Sequence, residues 1–517
     1  MKIVKKSFNK SALALGVASA LSLLMISNVN AVAFDWGEVQ GTFDSTWTAG
    51  ASWRVGERDW DGQIGKVNQP QFDWSNYTAF GNTKYTSAEI WAQPGSYSSN
   101  NDLSNLLYSQ GDTTSEIVKG LHELSLKYEN YGLFARGMYF YDRKLNDGNY
   151  DFNDPITGKE FDPCEDNRAS EVQCKDIRLL DAFVYANFDL NDGANPLSIR
   201  LGNQVVSWGG STLIAHGIGE INPVDLNILN APGAELKEGF TPSEMLYANL
   251  GVTDNTSVEA FYQLKWRKTV PEGCGTYFST SDFAADGCDR LAFQGGPITN
   301  PLSPLAGQTI TDQQNFQFGT FVNRVQDRQP DDGGQFGFAL RSYFESLDAE
   351  LGAYAMQYHS RLPLASLSKG SVGQAPGAPA APTFGPTSNS GYVIDYPEDL
   401  QVFGASFATN VGGWAWSGEV SLAKDLPIQI NANDLLAAGL TNGNPAAAPQ
   451  ALAQRVSSAP NNTIVSGFDR FDVTQIQNTF IKTFDRALGS SQVVFVGEVA
   501  AVLVDDLPEV TTSNATS

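Results

Sequence analysis

The sequence predicts an all-β fold: a transmembrane, antiparallel, up-and-down β-barrel of fourteen or more strands when complete, with short periplasmic turns and long external loops. Three observations predict it. Apolar and polar residues alternate from residue 38 to residue 55. Shorter alternating stretches then recur in pairs along the chain. The connections are short within a pair and long between pairs. Side chains on a strand point to opposite faces with a period of two, so each stretch has one apolar and one polar face. An ordinary soluble strand ends at about ten residues. A longer one suits a barrel wall that meets lipid outside and water inside.

Residues 1–31 read as a secretory signal. Lys2, Lys5, Lys6 and Lys10 supply the basic start, residues 11–26 the apolar core, and Val29, Asn30 and Ala31 a small-residue cleavage site. Cleavage after Ala33 reads equally well. There is no cysteine near the site, which argues against a lipoprotein. Since no later stretch is apolar enough for a spanning helix, membrane insertion would have to use strands. Removing the leader takes the formal charge from −24 to −28, because it holds four lysines and no acid. Such a chain repels nucleic acid.

After residues 38–55 come six hairpins: 121–128 with 133–143, 178–190 with 197–207, 245–251 with 257–267, 335–345 with 348–359, 400–409 with 414–424, and 475–486 with 492–504. Asn, Asp and Gly sit where the turns are needed, as in Asn191-Asp192-Gly193 and Gly412-Gly413. The count is thirteen strands, an odd number for a closed barrel. The expectation is therefore a C-terminally truncated chain lacking at least one strand, or a miscount by one. Residues 32–517 form a single barrel domain. Two long connections, 362–386 and 431–460, are rich in Pro, Ala, Gly and Asn and are expected to be mobile external loops without a core.

The polar faces identify the lumen. Candidates for the transport path are Phe134, Arg136, Phe140, Arg200, Gln204, Glu259, Phe261 and Lys265. Trp266 falls on the outward face with Val258, Ala260, Tyr262 and Leu264. Trp36, Tyr128, Tyr131, Trp208, Tyr247 and Trp414 fit aromatic girdles at strand ends. Phe and Met among charges on the inner wall suit an amphipathic cargo, or else pack beneath an inward-folded loop. The least strand-like stretch, residues 208–242, is apolar and Gly-rich. It folds inward as a plug or constriction, or outward as a self-packed lid. Its candidates are Trp208, His216, Asn222, Pro223, Asp225, Glu235 and Lys237, with Asn222-Pro223 opening a short helix.

Cys164, Cys174, Cys274 and Cys288 allow three pairings, of which the local ones, 164 with 174 and 274 with 288, are expected in an oxidising periplasm. Their spacing suits no zinc site. His122, His216 and His359 lie far apart without a partner motif, and no nucleophile, metalloprotease or phosphate-loop signature is present. The chain is expected to be no enzyme and to need no cofactor or metal.

Several stretches resemble one proteobacterial family, the exported proteins of domain-of-unknown-function family 1302. They are Gly41-Thr-Phe-Asp-Ser, Gly50-Ala-Ser-Trp-Arg, Tyr131-Gly-Leu-Phe-Ala-Arg-Gly, Arg200-Leu-Gly-Asn-Gln-Val-Val-Ser-Trp-Gly, Ile221-Asn-Pro-Val-Asp, Pro232-Gly-Ala-Glu-Leu-Lys-Glu and Cys274-Gly-Thr-Tyr-Phe-Ser-Thr with Cys288-Asp-Arg. The resemblance covers nearly all of residues 34–504. It implies an outer-membrane barrel, often encoded beside transport and lipid- or steroid-degradation functions, in a family whose members run longer at the C-terminus. It supplies no catalytic residues. The expected function is an outer-membrane channel for hydrophobic or amphipathic small molecules of fatty acid, steroid or hydrocarbon class. The alternative is a non-transporting surface barrel with an adhesin or structural role. Expected partners are outer-membrane lipid, the solute, the barrel-assembly machinery and periplasmic transport proteins, with no nucleic acid.

Overall fold

Fourteen strands, each hydrogen-bonded to the next in chain order, form one antiparallel up-and-down sheet. They are β1 (Ile26–Trp36), β2 (Val39–Trp53), β3 (Thr113–Tyr128), β4 (Tyr131–Asp142), β5 (Lys175–Leu190), β6 (Asn195–Gln204) and β7 (Ser243–Thr253). The remainder are β8 (Thr256–Gln263), β9 (Phe336–Phe344), β10 (Ala349–Tyr358), β11 (Leu400–Val411), β12 (Trp414–Gln429), β13 (Phe468–Asp485) and β14 (Gln492–Val504). The computed structural model describes residues 26–58, 103–150, 152, 159–210, 214, 216–279, 282–292, 296–297, 309–310, 321–370, 390–440, 443, 449–487 and 489–507. Among the described residues β1 and β14 do not pair with each other, and no helix is long and apolar enough to cross a membrane.

The six hairpins stand where the alternation places them, with their turns at one end of the sheet. Left-handed backbone closes five of them, at Glu129, Asn191 and Asp192, Asp348, Gly412 and Gly413, and Arg486. The strand count differs by one. The missed strand is β1, which pairs with β2 from Trp36↔Val39 to Ile26↔Ala49. It begins inside the stretch read as the leader, whose first 25 residues lie outside the described residues, as does the chain end from residue 508.

The long connections are not loose. Parts of three of them build a second sheet of five short strands, in the order Ile464–Val465, Leu364–Ser368, Gly391–Asp395, Phe321–Arg324, Arg290–Ala292. Trp266, Leu291, Val322, Tyr392, Ile394 and Tyr396 pack on this cap as one core. Leu367, Leu435, Ala438, Leu452, Ala453, Val456 and Val465 form another beneath the helices Ala432–Leu440 and Gln450–Ser458. The expectation of coreless loops at 362–386 and 431–460 is thus overturned for the described parts, while residues 371–389, 441–442 and 444–448 lie outside them. Composition hid the short apolar runs Leu364–Ser368 and Ile464–Val465, which complete each other across the cap. The two local disulfides are present, Cys164–Cys174 and Cys274–Cys288.

Candidate functional site

The interior of the curled sheet is occupied by the segment that connects β6 to β7. It leaves β6 at Val206, makes a 3-10 turn at Gly217–Ile221 and short helices at Leu226–Asn230 and Leu236–Gly239, and re-enters the wall at Ser243. Trp208, Ile218 and Ile221 pack against Tyr247, Phe261, Ala339, Tyr354, Met356, Leu400 and Val402, the inward residues of β7 to β11. The described part of the segment therefore lies inward against the wall, where the plug reading puts it, rather than standing outside as a self-packed lid, and it is called the plug below.

Polar bonds tie the plug to both ends of the sheet. Near its first strands, Pro232 lies against Gly50 of β2, Lys119 of β3 forms a fully buried ion pair with Glu238, and Lys237 reaches Glu123 at 3.2 Å. Arg178 of β5 binds Asp225 at 2.7 Å. In the middle, Trp208 donates its indole N–H to Glu259 at 2.7 Å, and Arg341 donates to the Ser207 carbonyl at 2.6 Å. Near the last strands, one carboxylate, Glu419 of β12, accepts from Gly210 N–H at 2.8 Å and from Ile218 N–H at 3.2 Å. Glu498 of β14 accepts from Ile214 N–H. Gly209 and Gly217 have φ of +85° and +87°, and a Cβ on either would strike the Glu419 carboxylate. Only glycine lets the backbone wrap that acid so closely.

Most inner-wall candidates face inward. Phe140, Glu259 and Phe261 are buried against the plug and Gln204 is buried with its amide on the Met245 carbonyl of the wall, whereas Phe134, Arg136 and Arg200 are half-buried on the wall. Lys265 is the exception: β8 ends at Gln263 and Lys265 lies exposed beyond it. Past the same strand end Trp266, expected to face outward, turns into the cap and meets Tyr396 edge to face. The girdle reading fits Trp36, Tyr128 and Tyr131, which are exposed, but not Trp208 and Tyr247, which are buried inside with their polar tips on Glu259. The helix start also moves. Asn222 does not cap it, because its side-chain amide pairs with the backbone N–H and C=O of Val206. Pro223 is buried just before it, and Asp225 is the N-cap, accepting from Ile228 N–H at 3.1 Å. Glu235 and Glu238 close a capping box on the second short helix.

His216 lies at the entry of the 3-10 turn and faces Glu220 at 3.2 Å. The hydrogen bond to Glu220 raises its pKa above the usual imidazole value. A base with a raised folded pKa gives its full stabilisation below the unfolded value of about 6.5 and loses it as pH rises through the folded value. The plug's thermal release should therefore come at lower temperature as pH climbs from about 6 to 8. The dependence should flatten in His216→Gln, as read by the temperature at which the unboiled band converts on a gel. An unchanged slope in the variant would remove His216 from the plug's hold.

Sequence reasoning missed Lys119, Arg178, Arg341, Glu419 and Glu498. Their signal was present: each is a charge on the polar face of an otherwise alternating strand. At the turn end a cavity of about 680 Å³ remains open, lined by Asn187, Ser198, Asn249, Tyr343, Arg341 and Glu350 among others.

The model of one family, described as Protein of unknown function (DUF1302), matches residues 12–517. No protein of curated function matches the sequence. Among solved structures, OpdK of Pseudomonas aeruginosa with vanillate is similar at 9% identity and TM-score 0.28, over 75% of this chain and 61% of that one. OmpF of Salmonella typhi in complex with daunomycin aligns at 8% identity and TM-score 0.27, over 74% of this chain and 77% of its own. The siderophore receptor PirA of Acinetobacter baumannii aligns at 11% identity and TM-score 0.30, over 92% of this chain and 55% of its own.

Proposed function

The chain belongs to the DUF1302 family, and from its fold we propose that it is an outer-membrane channel, closed by its own plug, for hydrophobic or amphipathic small molecules. The plug carries this reading: one connection lies in the interior and is bonded to strands from β3 to β14, so passage depends on its release. The outward face supports a lipid setting. Leu201, Leu246, Val258, Phe338, Leu340 and Phe403 stand exposed there as a band, which water would disfavour by about 25 cal/mol per Å². The inner wall mixes rings with ion pairs, which supports an amphipathic rather than a purely ionic cargo.

The test has two stages. The protein should fractionate with the outer membrane and migrate differently on gels when unboiled. Liposomes holding the protein with its plug freed by Glu419→Ala should then admit a fatty acid or steroid faster than empty ones, and equal rates would defeat the transport reading. The cap favours a second reading, a surface barrel that binds partners, because three long connections build an ordered outer sheet and two disulfides close loops of the long connections. In that case no ionic current should flow even after the plug is freed.

A further inference from the structure

Four arginines stand on the inner wall of β4 to β9, and each lies over an aromatic ring. Three of them are neutralised. Arg136 binds Glu123 at 2.9 Å and Asp181 at 2.6 Å, Arg178 binds Asp176 at 2.8 Å and Asp225 at 2.7 Å, and Arg341 binds Glu259 at 3.2 Å. Arg200 is different. Among the described residues its guanidinium has ring contacts only, with its centre 5.2 Å from the Tyr247 ring and 5.8 Å from the Phe183 ring. Tyr247 directs its hydroxyl to Glu259, and that carboxylate is already held by Arg341 and Trp208, so no acid is left facing Arg200 there.

Cross-strand packing extends this contact into a row. Phe183 packs on Phe134 at 5.5 Å between centroids, and Arg136 covers Phe134 at 5.3 Å. Arg136, Phe134, Phe183, Arg200 and Tyr247 thus run side by side across β4, β5, β6 and β7. The next inward residues toward the turns on β5 to β7 include Asn187, Ser198 and Asn249, which line the open cavity. The row therefore stands one step deeper than this open cavity, whose lining also carries Asp189, Asp254 and Glu350 against Arg341.

We propose that this row is a binding shelf for small organic anions that join an apolar body to one carboxylate. Arg200 receives the carboxylate, and Phe134 with Phe183 takes the apolar body. The half-buried guanidinium offers a planar fork of N–H donors matched to a carboxylate. The two rings offer a face that a planar or aliphatic group covers without losing hydrogen bonds. A neutral solute of the same shape lacks the anion that this fork requires. The proposal narrows the cargo of the channel reading and so rests on it for its transport meaning, but binding at the shelf can be measured without transport.

The experiment titrates the full chain, folded in detergent, with benzoate and with its neutral isostere benzamide, following heat or tryptophan fluorescence. Wild type should bind benzoate more tightly than benzamide by about tenfold to a hundredfold, as one charge-assisted recognition contact implies. Arg200→Gln should abolish that preference while keeping the wild-type gel shift between boiled and unboiled samples. Arg200→Lys should keep part of it. Equal binding of the two probes by wild type, or an undiminished preference in Arg200→Gln, overturns the shelf. The channel reading stands or falls separately on liposome entry and conductance: a protein that binds benzoate through Arg200 yet passes nothing keeps the shelf and loses the channel.

Discussion

Glu419→Ala should convert a closed pore into a conducting one. The Glu419 carboxylate gathers the plug's leading arc, accepting from Gly210 N–H and Ile218 N–H. It is 4% exposed, so no bulk water stands ready to replace it. Hydrogen bonds to a charged group contribute about 1.5–3 kcal/mol each. Losing two shifts the closed-to-open ratio by roughly two orders of magnitude or more. The arc would then depend on Glu498, on the Ser417 and Thr479 hydroxyls that donate to the Gly210 carbonyl, and on the packing of Ile218 against Gly404. In a planar bilayer the variant should carry frequent, long openings where wild type stays mostly closed, and Glu419→Ala with Glu498→Ala should carry more. Glu419→Gln should fall between, since its amide keeps one acceptor oxygen but turns an N–H donor toward N–H groups. A folded Glu419→Ala protein with wild-type conductance would show that the arc does not close the path.

The parts of this molecule legible in the sequence are those governed by local periodicity. Each hairpin is announced by its own alternation and turn residues, and the resulting short-long rhythm announces the up-and-down order before any contact is known. The disulfides were legible for the same reason, since each closes within one connection. β1 was not, because Ser27 to Ala33 serves two patterns at once: small residues that suit a cleavage site also suit a strand paired with β2. The plug was recognisable as a misfit among strands, but its fastenings were not. Glu419 and Gly210 are more than two hundred residues apart in sequence, and nothing near either names the other. The cap failed for a related reason. A run of five residues such as Leu364–Ser368 becomes a strand only when Gly391–Asp395 and Ile464–Val465 flank it, and composition windows see the prolines and alanines between instead.

Arg361→Met should cause the largest loss of stability of any single change considered. Arg361 follows β10 and is 1% exposed, yet burial pushes its guanidinium down only to about 10, so it stays charged at neutral pH. The guanidinium donates to the Glu220 carbonyl of the plug at 2.9 Å, to the Arg267 carbonyl at 3.2 Å, and to Gln263 Oε1 at the end of β8 at 2.9 Å. It thereby joins plug, wall and cap at one point. Methionine fills much of the same volume but leaves three buried acceptors without donors, at about 1–3 kcal/mol for each. Relief of the buried charge offsets part of this cost, so a net loss of about 3 kcal/mol is expected. Arg361→Lys keeps the charge but not the fork and should lose an intermediate amount, because one ammonium cannot span three acceptors held in these directions. The measurement is the temperature at which the unboiled form converts to the boiled one, compared across the three proteins. A conversion temperature unchanged in Arg361→Met would mean that water reaches these acceptors and that plug and cap are fastened elsewhere. A drop shared equally by the methionine and lysine variants would identify the guanidinium fork, rather than the charge, as the fastening.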